Sequence, residues 1–126
     1  MELEERMKQW QAALGDERIP LWENGAPLYQ RLLLNQGYWK DTLLTPPGDE
    51  ALQKDIALIK SMGYNGVRMH QKVEDERFFY YADTMGLLAW CEAPAYFFDR
   101  DDAVQSFFSE WNEIVRQYYN HPSVIT

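Results

Sequence analysis

Residues 61–94 leave this chain few architectures to choose from. In order, SMGYNGVRMHQKVEDERFFYYADTMGLLAWCEAP reads as a helix end, a strand, a helix and a second strand. Gly63 and Gly86 each follow the last apolar residue of a helical pattern. A helix ends most easily on a residue free to take positive φ, and glycine is that residue. A short strand follows each glycine and finishes in polar residues, Arg68 and His70 on one and Trp90 and Glu92 on the other. Consecutive strands with their chemistry at the C-terminal end mark a parallel α/β sheet with a site along one rim.

Strand alternation sorts the side chains of that stretch. In the strand over 65–69, Gly66 and Arg68 share a face with the following His70, and Val67 and Met69 share the other. Val67 and Met69 are expected to meet helices, and Arg68 and His70 to point the opposite way. In the strand over 87–91, Leu88, Trp90 and then Glu92 share a face by the same rule. The spacing predicts a helix over 49–62 with Leu52, Ile56, Ile59 and Met62 as its apolar stripe and Lys54, Asp55 and Lys60 solvated. Asp49 and Glu50 suit its positive end. A second helix is expected from Glu74 or Asp75 to Met85. A third runs to Tyr119, capped by Asp101 or Asp102. Its stripe is the cleanest in the chain: Val104, Phe107, Phe108, Trp111, Ile114, Val115 and Tyr118. Pro122 ends it, and residues 123–126 begin another strand.

Upstream, residues 2–14 can form a short helix with Leu3, Met7, Trp10 and Leu14 near one face. Residues 1–18 stand apart as an N-terminal helical segment with no assigned role. Residues 19–22 read as a strand, Glu23-Asn24-Gly25 as a hairpin turn, and 27–35 as the returning strand. The Leu32-Leu33-Leu34 run implies a strand buried on both faces. Residues 36–48 form a loop. The alternation of strand and helix calls for a parallel sheet, yet provides only three crossover helices, whereas a closed barrel takes about 250 residues. The sheet is therefore a small open one or a piece of a larger barrel. A strand that stops at Thr126 with no polar tail favours the piece.

Composition narrows the partners. The chain has 126 residues, 46% of them hydrophobic, enough for one core. Its formal charge of -8 argues against nucleic acid and against anionic membranes as partners. No apolar run approaches the roughly 20 residues of a membrane span. The only cysteine is Cys91, so no internal disulfide forms. That fits a reducing compartment, and with no signal-peptide pattern at the start the expected location is cytoplasmic. No residues have metal-ligand spacing and no glycine-rich phosphate loop is present, so neither metal nor cofactor is expected. Aromatic residues make up 15% of the chain. They serve either as core anchors or as flat platforms for sugar rings.

Three pieces of residues 24–126 resemble the barrel domain of family 2 glycoside hydrolases, the β-galactosidase and β-glucuronidase family. Asn24-Gly25 and the Leu32-Leu33-Leu34 strand look like the family's opening hairpin and first barrel strand. Asn65-Gly66-Val67-Arg68-Met69-His70, followed by Asp83-Thr84-Met85-Gly86-Leu87 and Glu92, looks like its Asn-x-x-Arg strand, Asp-x-x-Gly helix end and glutamate-tipped third strand. Asn120-His121-Pro122-Ser123-Val124-Ile125 looks like the approach to its fourth strand. The resemblance implies an α/β fold: a partial (β/α)8 barrel of about three βα units plus the start of a fourth strand, with a parallel sheet flanked by helices. Residues 19–126 would be the N-terminal part of that domain.

The resemblance also implies retaining hydrolysis of a β-glycoside by two carboxyl groups about 5 Å apart. The family's acid/base glutamate ends the fourth strand and its nucleophile the seventh, so neither is expected within these residues. Arg68 matches the family arginine that stands by the nucleophile, where a guanidinium keeps a carboxylate ionised. A structural salt bridge is the competing role for it. His70 and Glu92 are candidate partners for sugar hydroxyls, and Trp90 a stacking wall, against ordinary structural roles for each. Asn35 and Gln36 are further candidates to bind substrate or support the site; with Trp39 they follow the first strand, where many β-galactosidases carry an Arg-His-acid motif that this chain lacks. His121 is expected to be structural, and Cys91 to face the helices. Two other readings stay open. One is an autonomous α/β domain that binds a sugar or a partner without catalysis. The other is a half-barrel that self-associates through its open sheet edges.

Overall fold

The computed structural model describes residues 22–23, 26–96 and 100–126. The expected N-terminal helix, most of the expected strand over 19–22, the turn residues Asn24 and Gly25, and Phe97 lie outside the described residues.

Strands β1 (Trp22–Glu23) and β2 (Ala26–Pro27) pair antiparallel, with Trp22 opposite Pro27. Strands β3 (Leu32–Asn35), β4 (Gly66–Met69) and β5 (Leu88–Trp90) form a parallel sheet in the order β3-β4-β5. Helix α1 (Asp49–Ser61) joins β3 to β4, and α2 (Glu76–Met85) joins β4 to β5. Helix α3 (Asp101–Tyr118) follows. Residues 123–126 then run beside β5. Ala89 donates its N–H to the Ser123 carbonyl at 2.7 Å, Ile125 donates to the Ala89 carbonyl at 3.0 Å, and Cys91 donates to the Thr126 carbonyl at 2.9 Å. Spatial order therefore follows chain order throughout. A doubly wound sheet reverses direction at a switch point, whereas a barrel does not. The architecture is a sector of a parallel β/α barrel.

The expected single strand over 27–35 is instead two strands in two sheets. Proline 27 has no N–H to continue a ladder. Past it, the Asn65 side chain captures the backbone: Arg31 donates to Asn65 Oδ1 at 2.7 Å, and Asn65 Nδ2 donates to the Tyr29 carbonyl at 2.8 Å. The chain turns there and re-enters as β3, parallel to β4.

The core lies on one side of the sheet. Val67, Met69 and Ala89 meet Leu52, Ile56 and Ile59 of α1 and Phe78, Phe79 and Ala82 of α2, all buried. The opposite face carries Leu34, Arg68 and Trp90, and no described helix covers it. Leu34 is accordingly 51% exposed, which corrects the expectation that the leucine run is buried on both faces. Met62 also departs from its stripe and is exposed, because it caps α1 rather than extending it. Asp55 is half-buried rather than solvated. The apolar stripe of α3 has the expected spacing, yet no residue of that helix is fully buried. Its cap is Arg100, not an aspartate, and Asp101 and Asp102 occupy the first turn.

Gly63 and Gly86 take φ of 87° and 68°, as helix ends require. Gly66 is needed for a different reason. A Cβ there would lie 2.6 Å from Leu32 Cδ2 and 2.8 Å from the Leu88 carbonyl oxygen. The second contact is backbone in a paired strand and has no room to yield. Gly66→Ala is expected to destabilise the chain by about 1–3 kcal/mol in urea unfolding. An unchanged midpoint would show that the sheet is looser than described.

Candidate functional site

The C-terminal ends of β4 and β5 bring Arg68 and Glu92 together on the uncovered face. Register explains why. Arg68 lies opposite Trp90, and Glu92 is two residues further on, so alternation returns it to the same side. Arg68 Nε donates to Glu92 Oε1, and the backbone N–H of Gln71 donates to Glu92 Oε2 at 3.3 Å. The hydrogen bond from Arg68 holds the Glu92 carboxyl below the usual glutamate range, and the Gln71 N–H acts in the same direction. The arginine side chain stays 48% exposed while that of Glu92 is 17% exposed. Trp90 presents 39% of its surface beside them, more than a core tryptophan would. His70 is half-buried next to this pair, with its backbone N–H on the Asn35 carbonyl at 2.9 Å.

Asn35 sits differently. It shares the helix side of β3 with Leu33, whereas Leu34 pairs in register with Arg68 on the site side. Its Nδ2 donates to Glu74 Oε1 at 3.0 Å, and its Oδ1 accepts from the Gly37 N–H at 2.8 Å. Glu74 also pairs with Lys72. Asn35 therefore anchors the turn after β3 instead of joining Arg68 and Glu92. Gln36 lines an open cleft of about 550 Å³ with Tyr38, Trp39, Asp55 and Glu74. Burial, reinforced by the nearby Glu74, raises the Asp55 carboxyl above its ordinary value.

A second polar cluster lies at the base of the last strand. His121 Nδ1 lies 2.6 Å from Asp83 Oδ2, and Ser123 donates its N–H to Asp83 Oδ1 at 2.9 Å. The His121 ring packs on Phe79 and Tyr118. This cluster ties residues 121–123 to α2 and is structural, as expected for His121. Cys91 packs against the core, and burial pushes its thiol up to about 11. Among the described residues no group of acidic, histidine or cysteine side chains is arranged to hold a metal ion, and no helix is long and apolar enough to cross a membrane.

Sequence reasoning did not single out Gln71 or the buried Glu74. Gln71 takes φ of 55°, which residue type does not announce. Glu74 reads as a helix start in the sequence, whereas the structure buries it beside Lys72 and in a tertiary contact with Asn35.

Fold and rim together define a sector of a β/α barrel with a polar site at the C-terminal strand ends. No family model matches the chain. It is 30% identical over 81 residues to a β-glucuronidase of Bacteroides fragilis, covering 57% of this chain and 12% of that protein. It is 36% identical over 75 residues to a putative β-glucuronidase of Formosa agariphila, covering 58% of this chain and 9% of that protein. The crystal structure of a family 2 β-galacturonidase from Eisenbergiella tayi, bound to galacturonate, superposes with a TM-score of 0.72 at 26% identity, covering 80% of this chain and 19% of that chain. By sequence and by fold, the chain resembles family 2 glycoside hydrolases over part of a domain. It spans about a tenth of the length of the curated relatives it matches.

Proposed function

We propose that this chain forms part of the substrate pocket of a retaining β-glycoside hydrolase, with uronic acid glycosides as the substrate class. The pairing of Arg68 with Glu92 on the uncovered sheet face, flanked by Trp90, carries this reading. Arg68 would hold the guanidinium that keeps the nucleophilic carboxylate ionised and oriented. Trp90 would supply an apolar wall for a sugar ring, and His70 a hydrogen-bonding group. Asn35 and Gln36 would shape the neighbouring turn. Both catalytic carboxylates would come from elsewhere in the barrel. The similarity to β-glucuronidases and to a β-galacturonidase favours a uronic acid over a neutral sugar.

The isolated chain is expected to show no turnover of nitrophenyl β-glucuronide or nitrophenyl β-galactoside. Measurable hydrolysis by the pure chain would contradict the assignment of both carboxylates to other segments. One observation favours a second role alongside the first. Leu34 and Trp90 are exposed on a sheet face that no described element covers, and such a face promotes association. A light-scattering mass of one chain across a concentration series would rule out self-association.

A further inference from the structure

We infer that Glu74 is a positioning residue: its buried carboxylate ties the turn after β3 to the turn after β4 and so sets His70 beside the Arg68–Glu92 pair. That this serves a substrate pocket rests on the glycosidase reading above. Among the described residues Glu74 is the only buried charged side chain, at 7% exposure. Burying a carboxylate is costly, and a buried ion pair seldom stabilises a fold more than apolar packing of the same volume. Stability therefore gives little reason for a glutamate here, whereas holding one arrangement of two turns does.

The bonds show which arrangement is held. Glu74 Oε1 accepts from Asn35 Nδ2 at 3.0 Å, and Lys72 Nζ donates to the same oxygen. Asn35 Oδ1 takes the Gly37 N–H at 2.8 Å. The two turns meet at Gly37, which has φ of 65°. A Cβ there would collide with Lys72 Nζ and lie 3.1 Å from Glu74 Oε1. Glycine thus lets Lys72 pass close to the first turn on its way to the carboxylate. Asn35 also accepts the His70 N–H on its backbone carbonyl at 2.9 Å. Its side chain is therefore held by Glu74 while its backbone holds His70. Glu92, kept low chiefly by Arg68, also feels the charge of His70. The path from Glu74 to the Arg68–Glu92 pair runs through Asn35 and His70. Glu74 lines the cleft with Leu52 of α1 and Phe78 of α2, so it acts through Asn35 and not by touching a substrate.

The test compares NMR spectra of the full chain with those of the double variant Glu74→Leu, Lys72→Met. Replacing both partners by apolar groups of similar size leaves no buried charge unpaired, so the variant should fold with a urea midpoint near that of the parent. The signals followed are the Asn35 side-chain amide, the His70 ring C–H groups and Arg68 Nε–H. All are expected to shift, and the Asn35 amide should exchange with water about tenfold faster, the scale of one hydrogen bond to a charged group. Glu74→Gln keeps an oxygen for Asn35 Nδ2 and should bring the His70 signals back toward the parent. Asp83→Ala, which loosens the chain at the base of the last strand, should leave all of them in place. A folded double variant with unmoved His70 and Arg68 signals, or an Asp83→Ala variant that moves them as far, overturns the inference. Methyl β-glucuronide is then titrated into the parent and the double variant, and Arg68 Nε–H and the Trp90 indole N–H are followed. The parent is expected to respond, and the variant to bind about fivefold more weakly. Equal binding overturns the inference alone. If the parent does not respond, the glycosidase reading fails and takes the pocket role of Glu74 with it.

Discussion

Replacing Phe79 with alanine lowers the stability of this chain by about 3–5 kcal/mol, read as a shift in the urea midpoint. Phe79 is fully buried on the inner side of α2. Its ring lies 4.5 Å from that of Tyr118 and 5.3 Å from that of His121, centroid to centroid. It is the place where the core of α1, α2 and the sheet meets the end of α3 and the last strand. Truncation removes the transfer energy of a phenyl ring and leaves a cavity that three elements would have to collapse around. Domains are stable by roughly 5–15 kcal/mol, so this one change uses up much of the margin. Phe79→Leu, which keeps most of the volume, should lose less than half as much. A loss under about 1 kcal/mol for the alanine variant would mean that α3 does not pack on the core through this ring.

Replacing Asp83 with alanine costs about 2–3 kcal/mol at neutral pH, because a buried and a half-buried donor lose their acceptor together. Those donors are the His121 ring and the Ser123 N–H. The effect should also depend on pH. Burial pushes the Asp83 carboxyl up, but the bonds from Ser123 and His121 outweigh it and hold the group below its ordinary value. The unfolded chain therefore takes up this proton first as pH falls. The carboxylate's contribution is present above about pH 4 and is lost as the pH drops through the lowered value. Melting curves of the parent and Asp83→Ala should differ most near neutral pH and converge in acid. A gap that stays constant to pH 3, about one unit below the free aspartate value, would show that the ionised clamp is not the source.

Much of this was legible in the residues themselves. Gly63 and Gly86 mark helix ends, and the alternation of Val67 and Met69 against Arg68 sorts core from site. Two-residue periodicity puts Glu92 on the side of Arg68, and the structure joins them. What failed has a common cause. Periodicity says which side chains share a face, not whether anything covers that face. Leu34 is apolar in pattern, yet stays half exposed because no described helix packs over it, and the stripe of α3 meets the core at Tyr118 without any residue of that helix being fully buried. The break in the segment over 27–35 depends on the Asn65 amide, more than 30 residues away, which local pattern cannot anticipate. Asn35 sits at the right strand end but on the helix side, bonded to Glu74. The strain at Gln71 belongs to a tertiary contact with Glu92 and has no sequence signature.

The most direct test of the proposed role is a segment exchange. Residues 26–126 would replace the matching segment of the Bacteroides fragilis β-glucuronidase, and the chimera would be assayed on nitrophenyl β-glucuronide. The account predicts a folded chimera with measurable turnover that Arg68→Ala reduces about a hundredfold or more, the scale on which losing one preorganised charged donor acts. A chimera that folds but shows no turnover, or one whose turnover is indifferent to Arg68→Ala, would contradict it.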